Sequence, residues 1–122
     1  MYLPKKIWMT YIFDIDGTIC TKAVDFDYDT CEPMRERIRI INQLYDQGNT
    51  IIFHTARGMG RFENNAFQAI NAFYEMTIEQ LESWGVKYHD LFLGKPAGDV
   101  YIDDKGASDI DFFNAMTERY YE

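Results

Sequence analysis

The 122-residue chain has only two cysteines, Cys20 and Cys31, and three prolines. Two thiols are too few for the disulfide framework of a small secreted domain, and a stray pair beside a sizeable core reads as reduced. Nothing approaches the run of about 18 apolar residues that a membrane span requires. The apolar stretch at residues 7–13 ends in an aspartate and lacks the shape of a secretory leader. Basic residues are also scarce, 12 Lys and Arg against 20 Asp and Glu, giving a net charge of −8. That balance disfavours nucleic acids and anionic membranes as partners, yet leaves room for a local basic pocket around one phosphate. No internal repeat, low-complexity segment or Pro/Gly/Ser linker interrupts the chain. A single domain, 1–122, is therefore expected, with a soluble, cytoplasmic default and no membrane partner.

What is present is a globular composition, 47% hydrophobic and 16% aromatic. Residues 8–13 form an aromatic and β-branched run that stops before Asp16-Gly17, a turn signal. Its lack of polar alternation predicts a strand buried on both faces, as in a parallel sheet. An acidic and aromatic loop follows at 25–29. Pro33 then suits the first turn of a helix running to about Gln47, with Ile38, Ile41, Leu44 and Tyr45 on one face and Gly48 as its stop. A second strand is predicted at 50–53. Residues 62–74 are ambiguous, with partial helical spacing of Phe62, Ala66, Phe67, Ile70 and Phe73. Thr77 with Gln80 resembles a capping box that opens a helix ending at Trp84 and Gly85. Third and fourth strands are predicted at 91–93 and 100–102, with a short weak helix at 108–117.

Strands alternating with helices predict an α/β sheet with helices on its faces. All four apolar runs end in polar residues: Asp14, Thr55, Lys95 and Asp103-Asp104. In an open α/β sheet ligands bind beyond the carboxyl ends of the strands, so four strand ends would converge on one site. Asp14 and Asp16, two residues apart where a strand breaks, can face one cavity, and Gly17 permits the close turn. Hard oxygens of this kind suit Mg²⁺, with Asp14, the backbone carbonyl of Asp16 and Asp104 as donors. Taken singly, Asp16-Gly17 is a common turn, Thr55 a cap, Lys95 a surface charge and Asp103-Asp104 an acidic loop. Together, crowded carboxylates need a counter-charge, which a metal and Lys95 would provide. His54 and His89 lack a ligand-spaced partner and read as structural.

Asp14-Ile15-Asp16-Gly17-Thr18, Thr55, Lys95 and Asp103-Asp104, in this order and after these strands, resemble the four motifs of the haloacid dehalogenase-like hydrolase superfamily. The resemblance covers residues 11–110 and implies a Rossmann-like α/β fold. Asp16 matches the second aspartate that phosphatases and phosphotransferases use and dehalogenases generally lack. The short 18–55 and 55–95 intervals leave no room for a large cap domain. The chain looks like a capless member, similar to short phosphatases found with capsule and surface-polysaccharide biosynthesis genes, which share its T-A-R and G-K-P contexts.

What the resemblance implies is a Mg²⁺-dependent phosphomonoester hydrolase. Asp14 would be the nucleophile that forms an aspartyl-phosphate. Asp16 would protonate the leaving alcohol and then deprotonate water. Asp14, the Asp16 carbonyl and Asp104 would hold the metal, with Asp103 acting on it directly, through water, or by orienting Lys95. Thr55 and the following backbone would bind phosphoryl oxygens, and Lys95 would neutralise charge. Substrate binding is thereby assigned to Thr55, Ala56, Arg57 and Lys95. Arg57 is either a bidentate anion contact or a solvent-facing loop arginine. The 25–29 loop with Tyr28 is expected to act as a flap beside the site. The expected substrate is a small sugar, polyol or amino-alcohol phosphate, and the resemblance admits a homodimer. A polynucleotide 3′-end phosphatase is the alternative enzyme, disfavoured by the acidity. A non-catalytic binding module of the same fold is the other alternative.

Overall fold

The computed structural model describes residues 8–121, with side chains to Glu118. Three parallel strands, β1 (Thr10–Phe13), β2 (Thr50–Thr55) and β3 (Asp90–Leu93), form one sheet in the order β1-β2-β3. The register sets Phe13 beside Phe53, Phe53 beside Leu91 and Thr55 beside Leu93. Among the described residues there are also three α-helices, α1 (Arg35–Asp46), α2 (Ala66–Ser83) and α3 (Asp109–Tyr121), and one 3-10 turn at Tyr28–Thr30. This is an α/β, Rossmann-like arrangement. None of the described helices is long and apolar enough to cross a membrane.

Parallel neighbours need crossovers, and α1 and α2 are those crossovers. Both step the same way across the sheet, so crossovers of one hand lay both helices on one face. Phe13, Ile51, Phe53, Leu91 and Leu93 point into that layer, where Ile38, Ile41 and Leu44 of α1 and Leu81 of α2 meet them. From α3, Phe113 stacks on Phe13 at 6.0 Å between ring centroids, and Phe112 meets Tyr11 at 5.7 Å. Among the described residues nothing covers the opposite face, where Ile12 is 64% and Phe92 53% exposed. Among the described residues the helices thus flank one face of the sheet, and the strands are not buried on both faces as the apolar runs predict. Its apolar runs lack polar alternation, yet only one face of each strand is covered.

Element by element, α1 follows its predicted span. Pro33 stands just outside the helix rather than in its first turn, and Gly48 follows the last turn with φ +100°. The two predicted pieces between 62 and 84 are one 18-residue helix, α2, capped by Asn65, whose side chain accepts from Gln68 N–H at 3.1 Å. Thr77 therefore opens nothing. It is a buried mid-helix residue whose hydroxyl donates to the Phe73 carbonyl at 2.7 Å, the i−4 bond available to a helical threonine. Likewise α3 runs four residues past its predicted end. The Ser108 hydroxyl accepts from Asp111 N–H at 3.2 Å at its start.

The largest departure lies at 100–102. No strand forms there, and Val100, Tyr101 and Ile102 are exposed, the last to 95%. A β-branched run makes a strand only when it finds a ladder partner, and β1 bonds to β2 alone among the described strands.

Candidate active site

Asp14 leaves β1 directly, Thr55 is the last residue of β2, and Lys95 stands two residues beyond β3. Parallel pairing therefore brings three strand ends, not four, to one edge of the sheet. The Lys95 N–H donates to the Thr55 carbonyl at 3.2 Å, tying two of these ends together. After Asp14 the chain coils into a tight turn in which Thr18 and Ile19 N–H both donate to the Ile15 carbonyl. Gly17 takes φ +80° there, a conformation that favours glycine. A cavity of about 280 Å³ opens at this edge, lined by Asp14, Asp16, Lys22, Tyr28, Ala56 and Arg57.

The two aspartates have different surroundings. Asp14 is half-buried. Its Oδ1 accepts the Ile15 N–H at 2.8 Å, and its Oδ2 faces Lys95 Nζ at 3.5 Å. The Lys95 ammonium also lies 4.3 Å from the centre of the Tyr101 ring. Nearby, burial and the charge of Lys95 depress the His54 imidazole below its ordinary value, partly offset by Asp14. His89 lies elsewhere, stacked on Tyr45 and accepting the Ile51 N–H at 3.1 Å.

Asp16 is gripped by Arg57. Nε donates to Oδ2 and Nη2 to Oδ1, each at 3.0 Å, the two-pronged geometry in which guanidinium matches carboxylate. Arg57 is only 1% exposed. Its remaining nitrogen, Nη1, donates to Thr77 Oγ1 at 3.2 Å, and the Tyr28 ring lies 4.7 Å from its central carbon. The Asp16 partner and the Thr77 hydroxyl keep the charge in place against the cost of burial, and hydrogen bonding to Asp16 raises the guanidinium above its ordinary value despite desolvation. Sequence reading offers Arg57 to an incoming anion or to solvent. It does not face solvent: it lines the cavity with all three of its nitrogens engaged inside the protein.

Tyr28, expected on a flap beside the site, is held by fixed contacts instead. Its hydroxyl accepts the Gly58 N–H at 2.8 Å, its ring meets Phe73 edge-on at 5.0 Å, and its backbone carbonyl accepts from Gln80 Nε2 at 2.8 Å. The 25–29 loop is thus pinned over Arg57, with Phe26 exposed at its tip. Gly58 sits beneath this lock at φ +78°, and an added Cβ would lie 2.7 Å from the Phe73 ring. Gly58→Ala should cost about 2–4 kcal/mol, combining backbone strain with overpacking. A denaturant midpoint unchanged from wild type would contradict that reading of the loop.

Thr55 is fully buried, and its hydroxyl accepts the Arg57 N–H at 3.1 Å, which leaves its proton free to donate. Ala56 lines the cavity. Asp103 and Asp104 stay in solvent on the irregular segment after Lys95 and join no cluster of metal-ligating groups with Asp14 and Asp16 among the described residues. The Lys105 N–H, at 2.9 Å, and Asp104 hold the Asp103 carboxyl below its ordinary value. Without a strand at 100–102 nothing carries this pair back to the sheet edge. Cys20 and Cys31 form no disulfide, and both thiols press on Asp16. Burial and the Asp16 charge push Cys31 up to about 11 and Cys20 higher still, so both are neutral.

No family model matches the sequence, and no curated protein matches it. Among solved structures the chain is similar to a structural-genomics target from Vibrio cholerae, at 26% identity and a TM-score of 0.77. That match covers 90% of this chain and 97% of the other. The two chains share one fold. A D,D-heptose 1,7-bisphosphate phosphatase from B. bronchiseptica, crystallised with magnesium and phosphate, is a more distant likeness at 19% identity and a TM-score of 0.49. It covers 91% of this chain and 63% of that one, too slight a likeness to argue from.

Proposed function

We propose that the chain hydrolyses phosphomonoesters of the small sugar, polyol or amino-alcohol kind, as the resemblance to capless haloacid dehalogenase-like phosphatases implies. One observation carries the reading. At the carboxyl edge of a parallel sheet, two carboxylates each have their own cation, Asp14 with Lys95 and Asp16 with Arg57, and Lys22 adds a further positive charge at the cavity. The site is therefore locally cationic within an acidic protein, which suits one phosphate and not a polyanionic strand.

Asp14 is the group free to attack, since Lys95 touches only Oδ2 and at a loose 3.5 Å. Its oxygen forms a bond to phosphorus as the bond to the alcohol oxygen breaks, and the departing alcohol takes its proton from Asp16. Asp16 therefore has to enter the cycle protonated, with one of its oxygens giving up its charge beside Arg57 for that step. Water then cleaves the aspartyl-phosphate, returning a proton to Asp16 and releasing inorganic phosphate. Lys95 and the Thr55 hydroxyl balance charge on the phosphoryl oxygens. Arg57 holds the Asp16 carboxylate in position rather than touching substrate.

The hard oxygens at the cavity, the Asp14 carboxylate and the Asp16 backbone carbonyl, fit Mg²⁺ in type, and Asp104 would complete the set only after the 94–108 segment moves inward. When bound there, the ion supplies positive charge against the phosphoryl group. Phosphate release should therefore require Mg²⁺, and should be measured across sugar, polyol and amino-alcohol phosphates beside a 3′-phosphorylated oligonucleotide. Turnover of one or more of the metabolites, stopped by chelation, is the expected result. Turnover confined to the oligonucleotide, or folded protein inert toward every ester, would overturn the proposal.

A further inference from the structure

Cys20 and Cys31 belong to two segments that the chain lays side by side. Cys20 bridges antiparallel to Pro33, and Thr21 N–H donates to the Glu32 carbonyl at 2.9 Å. Both sulfurs lie against one oxygen, Cys20 Sγ at 3.6 Å and Cys31 Sγ at 3.4 Å from Asp16 Oδ1. The three atoms are all within 4.8 Å of one another, and among the described residues no other three His, Cys, Asp or Glu side chains gather so closely. A thiol donating to a carboxylate accounts for either distance alone. Two thiols converging on one oxygen have the shape of a ligand set.

Tetrahedral zinc, with Zn–S about 2.3 Å and Zn–O about 2.0–2.2 Å, has S···O edges of about 3.5–3.7 Å. The observed 3.6 and 3.4 Å are close to those edges, so three corners of such a site are nearly in place. The charges also close. Two thiolates and a carboxylate carry three negative charges, a divalent ion returns two, and the Arg57 guanidinium already on Asp16 supplies the third. Without Arg57 the filled site would bury a net charge, which is costly. Of the three ligands, Asp16 lines the cavity with its side chain 22% exposed, and Cys31 borders a separate hollow beside α2. Water would complete the fourth corner. Thiolate ligands select zinc-like ions over Mg²⁺, so the two classes of ion need not compete here.

We propose that Asp16, Cys20 and Cys31 bind a thiophilic divalent cation of the Zn²⁺ class at a site separate from Asp14. On binding, each thiol gives its proton to solvent as its sulfur takes the ion, and no electrons move. Occupancy ties up Asp16 Oδ1. Resting on the hydrolase function proposed for the neighbouring cavity, Zn²⁺ then inhibits phosphate release in a way that excess Mg²⁺ does not relieve.

The test is a titration of the reduced full chain with Co²⁺ and then Zn²⁺, which needs no turnover and so stands or falls apart from the hydrolase function. One Co²⁺ per chain is expected, with a sulfur-to-cobalt charge-transfer band, intense tetrahedral visible bands and two protons released; Zn²⁺ then bleaches the spectrum. Cys20→Ser and Cys31→Ser should each diminish the sulfur band and weaken binding by more than the roughly 10–100-fold that losing an outer-shell partner costs. Asp14→Asn should keep the spectrum. A six-coordinate Co²⁺ spectrum without a sulfur band in the wild type would overturn the site whether or not the serine variants fold. Binding indifferent to both serine changes would overturn it as well.

Discussion

Asp14→Asn should lower phosphate release on the order of 10⁶-fold, as deletion of a nucleophile does elsewhere, leaving only a residual rate. The same variant should unfold within about 1 kcal/mol of wild type. The amide oxygen can keep the 2.8 Å bond from Ile15 N–H, and the half-exposed side chain fills no core position. What changes is Oδ2, which becomes an amide nitrogen facing Lys95 and can no longer attack phosphorus. The measurement pairs a steady-state assay on the best substrate with a denaturant melt. Near-normal turnover from a folded Asn variant would remove the covalent mechanism, and loss of both activity and fold would place Asp14 among the structural residues.

Arg57→Met should destabilise the fold by about 3 kcal/mol, the low end of what removing one partner of a buried ion pair costs, because Asp16 keeps some contact with solvent. The loss has three sources: an uncompensated Asp16 carboxylate, a Thr77 hydroxyl without its donor, and the vacated face of Tyr28. With a urea dependence of about 1–3 kcal/mol per molar, the midpoint should fall by about 1–3 M. Arg57→Lys should recover little, since an ammonium cannot reach both oxygens of Asp16 and Thr77 at once. Asp16→Asn combined with Arg57→Met should be less damaging than the sum of the single changes, because the stranded charge goes with its partner. Strict additivity would mean that the two groups are not energetically coupled despite their 3.0 Å contacts.

Features carried by consecutive residues are legible in the sequence. The spacing of Ile38, Ile41 and Leu44 with Gly48 after them marks α1, and three apolar runs mark β1, β2 and β3. Because polar residues follow those runs, parallel strand order is enough to bring Asp14, Thr55 and Lys95 to one edge. Where the signal depends on a neighbour, local reading misleads. Thr77 with Gln80 has the letters of a capping box, yet Asn65 caps the helix well upstream and Thr77 turns inward to Arg57. The run at 100–102 has the letters of a strand, but a strand exists only as part of a ladder.

Residue order alone is thus sufficient for the α/β class, the strand-edge location of the site and the identity of the residues at three strand ends. Packing in three dimensions was needed to place Arg57 on Asp16 across 41 residues, to close Tyr28 over it, and to bring Cys20 and Cys31 to one carboxylate oxygen. Among the described residues the same packing covers one sheet face and not the other, and leaves Asp103 and Asp104 in solvent. The difference is one of range. Helix periodicity and strand runs are written every two to four residues. A buried charge instead finds its counter-charge wherever the packed chain brings one within hydrogen-bonding distance, and no spacing in the sequence records that meeting.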